Sequence, residues 1–103
     1  MKALADYIHG KKLKAGIYSD AGENTCGSIY DKDEKGVGVG IYGHIDQDCH
    51  TFFKTWGYDF LKVDWCGGKR MKLNEETEYT KIIKTVKAID KNLVFNVCRW
   101  EFP

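Results

Sequence analysis

The most chemically suggestive stretch of the sequence is Phe60-Leu61-Lys62-Val63-Asp64-Trp65, followed at once by Cys66. The run reads as a strand, and a charged residue inside a strand is costly to bury unless it is paired or hydrogen-bonded. Lys62 and Asp64 are two residues apart, so on a strand their side chains point to the same face. A lysine in that position keeps the neighbouring carboxylate ionised at neutral pH. An ionised, positioned carboxylate can act as a nucleophile toward an anomeric carbon. The competing reading is a structural ion pair where a strand meets solvent. Polar groups also end two other apolar runs, as Ser19-Asp20 and as Arg99-Trp100-Glu101. Tyr18, Trp65 and Trp100 beside them could stack on a sugar ring, although aromatics in such places more often fill a core.

Other chemistries are more weakly signalled. Gly38-Val39-Gly40-Ile41-Tyr42-Gly43 satisfies Gly-x-Gly-x-x-Gly before a helical pattern. Asp64 follows at about the 20-residue distance of a ribose-binding acid, which raises a small nucleotide-binding module as an alternative. A dinucleotide fingerprint should follow a buried strand, however, and here the charged run Asp31-Lys32-Asp33-Glu34-Lys35 comes first. The four cysteines, Cys26, Cys49, Cys66 and Cys98, could pair, bind metal or stay as buried thiols. None forms Cys-x-x-Cys and no histidine stands at zinc-ligand spacing, so no metal site is expected. Two bridges would allow three connectivities, which spacing cannot rank. His9, His44 and His50 read as surface or capping residues. No Gly-x-Ser-x-Gly or Cys-His arrangement suggests acyl transfer.

The elements that must carry these residues alternate. Met1, Leu4 and Ile8, with Tyr7 beside them, share one face of a helix that stops near Gly10. Ala15-Gly16-Ile17-Tyr18 is a strand, and a polar, Gly-rich loop runs from there to about Gly43. Ile45, Cys49, Phe52, Phe53 and Trp56 repeat at helical spacing and Gly57 is a natural stop. After the Phe60–Trp65 strand, Asn74 can cap a helix whose first turn holds Glu75 and Glu76. Tyr79, Ile82, Ile83, Val86 and Ile89 form its apolar stripe, and Leu93-Val94-Phe95-Asn96-Val97 is the third strand. Strands separated by helices pair in parallel. The fold class is therefore α/β, as a small doubly wound sheet or as about three consecutive units of a (β/α)8 barrel. In both, ligands bind beyond the carboxyl ends of the strands.

Composition bounds the function. The 103 residues carry 16 Lys+Arg against 15 Asp+Glu, a net charge of +1 that gives no general electrostatic case for nucleic acid or an acidic membrane. No apolar run reaches the roughly 18 residues of a membrane span, and no signal-peptide pattern is visible. At 43% hydrophobic and 14% aromatic residues the chain is not of a disordered type.

Taken in series, these motifs resemble one family. Met1-Lys2-Ala3-Leu4-Ala5-Asp6-Tyr7-Ile8-His9, Gly16-Ile17-Tyr18-Ser19-Asp20-Ala21-Gly22, Thr25-Cys26, Tyr42-Gly43-His44 leading to Asp48, and above all Trp56-Gly57-Tyr58-Asp59-Phe60-Leu61-Lys62-Val63-Asp64-Trp65-Cys66 resemble the α-galactosidase (melibiase) group, glycoside hydrolase family 27. The resemblance implies a (β/α)8 TIM barrel acting as a retaining glycosidase on terminal α-D-galactosides, with no cofactor. Asp64 then corresponds to the nucleophile that forms the glycosyl-enzyme intermediate. Lys62 corresponds to a residue that hydrogen-bonds sugar hydroxyls, and Tyr18, Trp65 and Arg99 fall among residues bordering the sugar. Cys26 and Cys66 correspond to a disulfide beside the active site, which points to an exported parent protein.

The sequence departs from the family pattern in several places. Where many members have Cys-Glu-Trp, this chain has Cys98-Arg99-Trp100-Glu101. A cation in place of an acceptor changes which hydroxyls can be held, which opens the alternatives of an α-N-acetylgalactosaminide or a β-L-arabinopyranoside. Cys49 reads as a buried thiol, and Cys98 lacks the later cysteine that is its partner in some members. The stretch from Ser28 to Gly40 is longer than usual. The resemblance further implies that residues 1–103 are a fragment of the catalytic barrel. The first strands and the strand carrying the acid/base Asp would lie outside it. A chain with one of the two required carboxyl groups is expected to be inactive alone, and an incomplete sheet with open edges is expected to self-associate.

Overall fold

The computed structural model describes residues 1–32 and 36–98. Arg99, Trp100 and Glu101 lie outside the described residues. Helix α1 spans Lys2–Gly10, strand β1 Gly16–Asp20 and helix α2 Cys26–Tyr30. Helix α3 spans Ile45–Cys49 and runs on as a π-helical segment over His50–Thr55. Strand β2 spans Phe60–Asp64, helix α4 Cys66–Arg70, helix α5 Glu75–Ile89 and strand β3 Val94–Val97. The strands form one parallel sheet in the order β1-β2-β3, as three strands separated by helices require. The result is a small α/β unit compatible with part of a (β/α)8 barrel.

The register fixes which side chains meet. Tyr18 pairs with Lys62 and Asp20 with Asp64 across β1 and β2, while Lys62 pairs with Asn96 across β2 and β3. Because side chains alternate along a strand, Tyr18, Asp20, Lys62 and Asp64 belong to one face of the sheet. The opposite face of β2 presents Leu61 and Val63, both fully buried. They join Ile82 and Val86 of α5, Cys49 and Phe53 of the α3 segment, and Ala5, Ala15 and Tyr58 in one apolar core. Each large aliphatic side chain buried there contributes about 1.5–3 kcal/mol.

Local chemistry explains the helices. The Asn74 side chain accepts the Thr77 N–H at 2.9 Å and caps α5, with Glu75, Glu76 and Glu78 in its first turn. Thr25 caps α2 in the same way through the Ser28 N–H at 3.3 Å. The π segment shows in the Trp56 N–H reaching the Thr51 carbonyl, five residues back, at 2.9 Å.

Three expectations are corrected. The segment between β1 and α3 is not one long loop, since it contains α2. On α1, Leu4 and Tyr7 are 51% and 65% exposed, whereas Ala5 is fully buried. A small side chain lets the helix backbone approach the core closely, and Ile8 packs beside it. The Gly38–Gly43 loop does not build a phosphate-binding fingerprint. It follows a turn, not a strand, and a Cβ on Gly40 would sit 2.0 Å from the Gly22 carbonyl oxygen. Its close approach is therefore to the chain's own backbone.

At the opposite end of the sheet from Asp64, Asp59 joins three elements. Its Oδ2 accepts the Ala15 N–H at 3.0 Å and lies 2.6 Å from His9 Nε2. Its own N–H reaches the Ala15 carbonyl at 2.8 Å, and its carbonyl accepts from Val94 at 3.1 Å. Burial works to raise the Asp59 carboxyl, but the Ala15 amide and His9 outweigh it and hold the group below the usual value. A carboxylate depressed in the fold adds stability above its unfolded value, and that stability is lost as pH falls through the folded one. Stability should therefore decline below about pH 4 more steeply in the unaltered chain than in Asp59→Asn. Urea midpoints measured between pH 3 and 6 check this, and parallel slopes would contradict it.

Candidate active site

At the carboxyl end of β2, Asp64 is 5% exposed. Lys62 Nζ lies 3.7 Å from its Oδ1, so the pair expected from the sequence is formed on one face. At that distance the contact is an ion pair without a hydrogen bond, and among the described residues no hydrogen-bond donor reaches the buried Oδ1. Lys62 also stands over Tyr18, with Nζ 5.6 Å from the ring centroid, a cation–π contact that the Tyr18–Lys62 register makes possible. Partial burial, followed by the Asp64 charge, pushes the Tyr18 hydroxyl up to about 12. It therefore stays protonated as a hydrogen-bond donor near neutral pH. Tyr18 and the Lys62 side chain are each 42% exposed and are the accessible groups around a recessed carboxylate.

Cys26 and Cys66 form a disulfide, with Cα atoms 5.0 Å apart. The bridge ties the first residue of α2 to the first residue of α4 and so fastens together the loops that leave β1 and β2. Cys26 Sγ lies 3.5 Å from Asp64 Oδ2. A disulfide sulfur carries no proton, so this is a packing contact against the carboxylate. Asp20 and the two bridge sulfurs are close enough together to be a metal-ligand set. With both sulfurs joined to each other, they are not available as thiolate ligands.

By its sequence Asp20 is a polar strand end within a motif of the family resemblance. In the structure it is fully buried, and its Oδ1 accepts the N–H groups of Gly22 at 2.8 Å and Gly67 at 3.0 Å. The backbones around it touch directly. A Cβ on Gly22 would lie 2.1 Å from the Gly67 carbonyl carbon, and one on Gly67 would lie 2.3 Å from the Asn24 carbonyl oxygen. Only glycine allows that approach.

Trp65 does not line this face. It is 7% exposed and packs against Tyr79 of α5 with ring centroids 5.2 Å apart, so it belongs to the core. Residue 65 follows Asp64 directly, and strand alternation turns it to the other side. Arg99 lies outside the described residues. The histidines hold local structure: His44 Nδ1 sits 2.5 Å from Asp48 Oδ2, and His50 Nδ1 lies 3.1 Å from the Asp46 carbonyl oxygen. A concavity of about 500 Å³ opens between the starts of α3 and α5, lined by Tyr42, His44, Gln47, Glu78 and Lys81 among others. None of the groups around Asp64 borders it. Glu78 in that wall is 5% exposed and pairs with Lys81 at 3.5 Å, a burial that the helical stripe did not signal.

The two free thiols differ. Cys49 is fully buried, and burial followed by Asp48 pushes its thiol up to about 12. Cys98, half-buried after β3, is raised chiefly by hydrogen bonding of its thiol to the Asp64 carboxylate. A thiol-specific disulfide reagent at pH 8 should label Cys98 alone in the native chain and Cys49 only after denaturation. Asp64→Asn should speed the Cys98 reaction. Equal native rates for the two thiols would contradict this placement.

Comparison with known proteins agrees with these features. A family model described as Alpha galactosidase A (Melibiase_2) matches residues 1–102. An "Alpha-galactosidase" of Oryza sativa subsp. japonica is 41% identical over 97% of this chain and 21% of its own length. An "Alpha-galactosidase A" of Cellvibrio japonicus is 38% identical over 97% of this chain and 22% of its own, and the human "Alpha-galactosidase A" 32% identical over 97% and 20%. The chain thus spans about a fifth of the length of the curated relatives it matches. With the family model covering nearly every residue and the disulfide in place beside Asp64, the chain belongs to the α-galactosidase (melibiase) family of glycoside hydrolases.

Proposed function

We propose that this chain supplies the nucleophile side of a retaining glycosidase site that cleaves terminal α-D-galactosides. The observation that carries this reading is Asp64, a recessed carboxylate at a strand end with a lysine 3.7 Å from its Oδ1, an oxygen that no donor among the described residues reaches. An oxygen not held by a donor keeps its lone pairs for an electrophile. In the first step a carboxylate oxygen of Asp64 bonds to the anomeric carbon as the glycosidic C–O bond breaks. The leaving oxygen takes a proton from a second carboxyl group, and water then hydrolyses the glycosyl ester. Lys62 and Tyr18, both half-exposed hydrogen-bond donors, are placed to hold sugar hydroxyls.

The second carboxyl group is assigned to a segment outside these 103 residues, on another strand of a (β/α)8 barrel. Asp20, the nearest carboxylate in the sheet, does not fit that role, because it is fully buried and its Oδ1 is held by two amides. The curated relatives are about five times as long as the match, which leaves ample chain for the partner group. The nucleotide alternative loses its basis with the packed Gly40.

Two measurements test the proposal. The purified 103-residue chain should not hydrolyse an aryl α-galactoside above the buffer rate, and detectable turnover would contradict the division of roles. In a full-length enzyme containing this chain, Asp64→Asn should reduce turnover to background while the circular dichroism spectrum and Tm stay close to those of the parent. Retained turnover would remove Asp64 from the nucleophile role.

A further inference from the structure

We propose that Asp20 is a positioning residue for the nucleophile, acting on Asp64 through the two backbone amides it binds and the disulfide they flank; this rests on the glycosidase reading above. Asp20 and Asp64 end neighbouring strands and are paired in register. The Asp20 carboxylate ties Gly22, in the loop that leads to Cys26, to Gly67, the residue after Cys66. These two residues bracket the bridge whose Cys26 sulfur rests 3.5 Å from Asp64 Oδ2. The order of contacts is therefore carboxylate, two amides, bridge, nucleophile.

Further backbone bonds meet at the same point. The Asp20 carbonyl accepts the Ile41 N–H at 2.9 Å, the Gly22 carbonyl accepts Tyr42 at 3.2 Å, and the Asp64 carbonyl accepts Ala21 at 3.1 Å. Burying a carboxylate is expensive, and burial does raise the Asp20 carboxyl, while the amides of Gly22, Gly67, Gly68 and Cys66 oppose that. Among the described residues no hydrogen-bond donor reaches Oδ2. A neutral acceptor could hold one loop at less cost. What a carboxylate adds is one oxygen that binds two amides from separate loops with charge-assisted strength. A nucleophile displaced by about 1 Å loses on the order of 10²-fold in rate, so rigid loops at this place bear directly on turnover.

The test uses a full-length active enzyme containing this chain, with Asp20→Ala, Asp20→Asn and Asp64→Asn compared on an aryl α-galactoside. Rates are normalised to folded protein. Asp20→Ala should lower kcat about 10²-fold with KM changed by no more than about threefold. Asp20→Asn, which keeps one amide-binding oxygen, should recover part of that loss. The bridge should also be reduced faster by dithiothreitol in both variants. A lower Tm with kcat per folded molecule at the parent value would overturn the proposal, because it would leave Asp20 a purely structural role. Turnover by Asp64→Asn would instead sink the glycosidase reading, whatever Asp20 does. If neither Asp20 variant folds, hydrogen exchange of the unaltered enzyme decides. Gly22 and Gly67 amides as protected as those of β1 and β2 support the proposal, and exchange at open-loop rates overturns it.

Discussion

A buried carboxylate needs donors, and at the end of β1 the donors for Asp20 come from two loops that would otherwise have little reason to meet. That requirement organises this end of the sheet. The amides of Gly22 and Gly67 converge on one oxygen, glycine alone permits the backbones to touch, and the Cys26–Cys66 bridge closes over the junction. Parallel pairing of β1 with β2 sets Asp64 beside this junction, and the register puts Lys62 and Tyr18 on the same face. The opposite face of β2 is anchored by Leu61 and Val63 in the apolar core, so strand alternation cannot slip without exposing both.

The geometry of the Lys62–Asp64 pair is what the proposed nucleophile role rests on. An ion pair that served stability alone would gain most from short, hydrogen-bonded geometry, since desolvation is otherwise poorly offset. Here the separation is 3.7 Å, and among the described residues no donor reaches Oδ1. By contrast, Asp59 at the other end of the sheet has its Oδ2 engaged by the Ala15 amide and by His9. Asp59 thus holds elements together through one oxygen, while Asp64 meets Lys62 as an ion pair and accepts from the Cys98 thiol.

Much of this was legible in the sequence because it follows from local rules. The three strands, the capped α5 helix and the shared face of Lys62 and Asp64 come from period and spacing alone. The disulfide came from the family resemblance, since spacing could not choose among connectivities. Features that depend on tertiary approach were not legible. Short helices α2 and α4 have too few residues to show a period. The burial of Ala5 in place of Leu4 depends on how closely α1 packs, and Trp65 turned to the core because residue parity outweighed its proximity to the site. Asp20 looked like any polar strand end; its importance rests on Gly67, 47 residues away in sequence.

The central claim is that Asp64 makes the covalent bond to the sugar. The direct measurement is to treat a full-length enzyme containing this chain with a slowly turning over fluorinated galactosyl donor, digest it, and locate the attached sugar by tandem mass spectrometry. The account predicts a single glycosyl ester on Asp64, within the peptide containing Phe60 to Trp65. A sugar attached to any other carboxylate, with Asp64 unmodified, would contradict it.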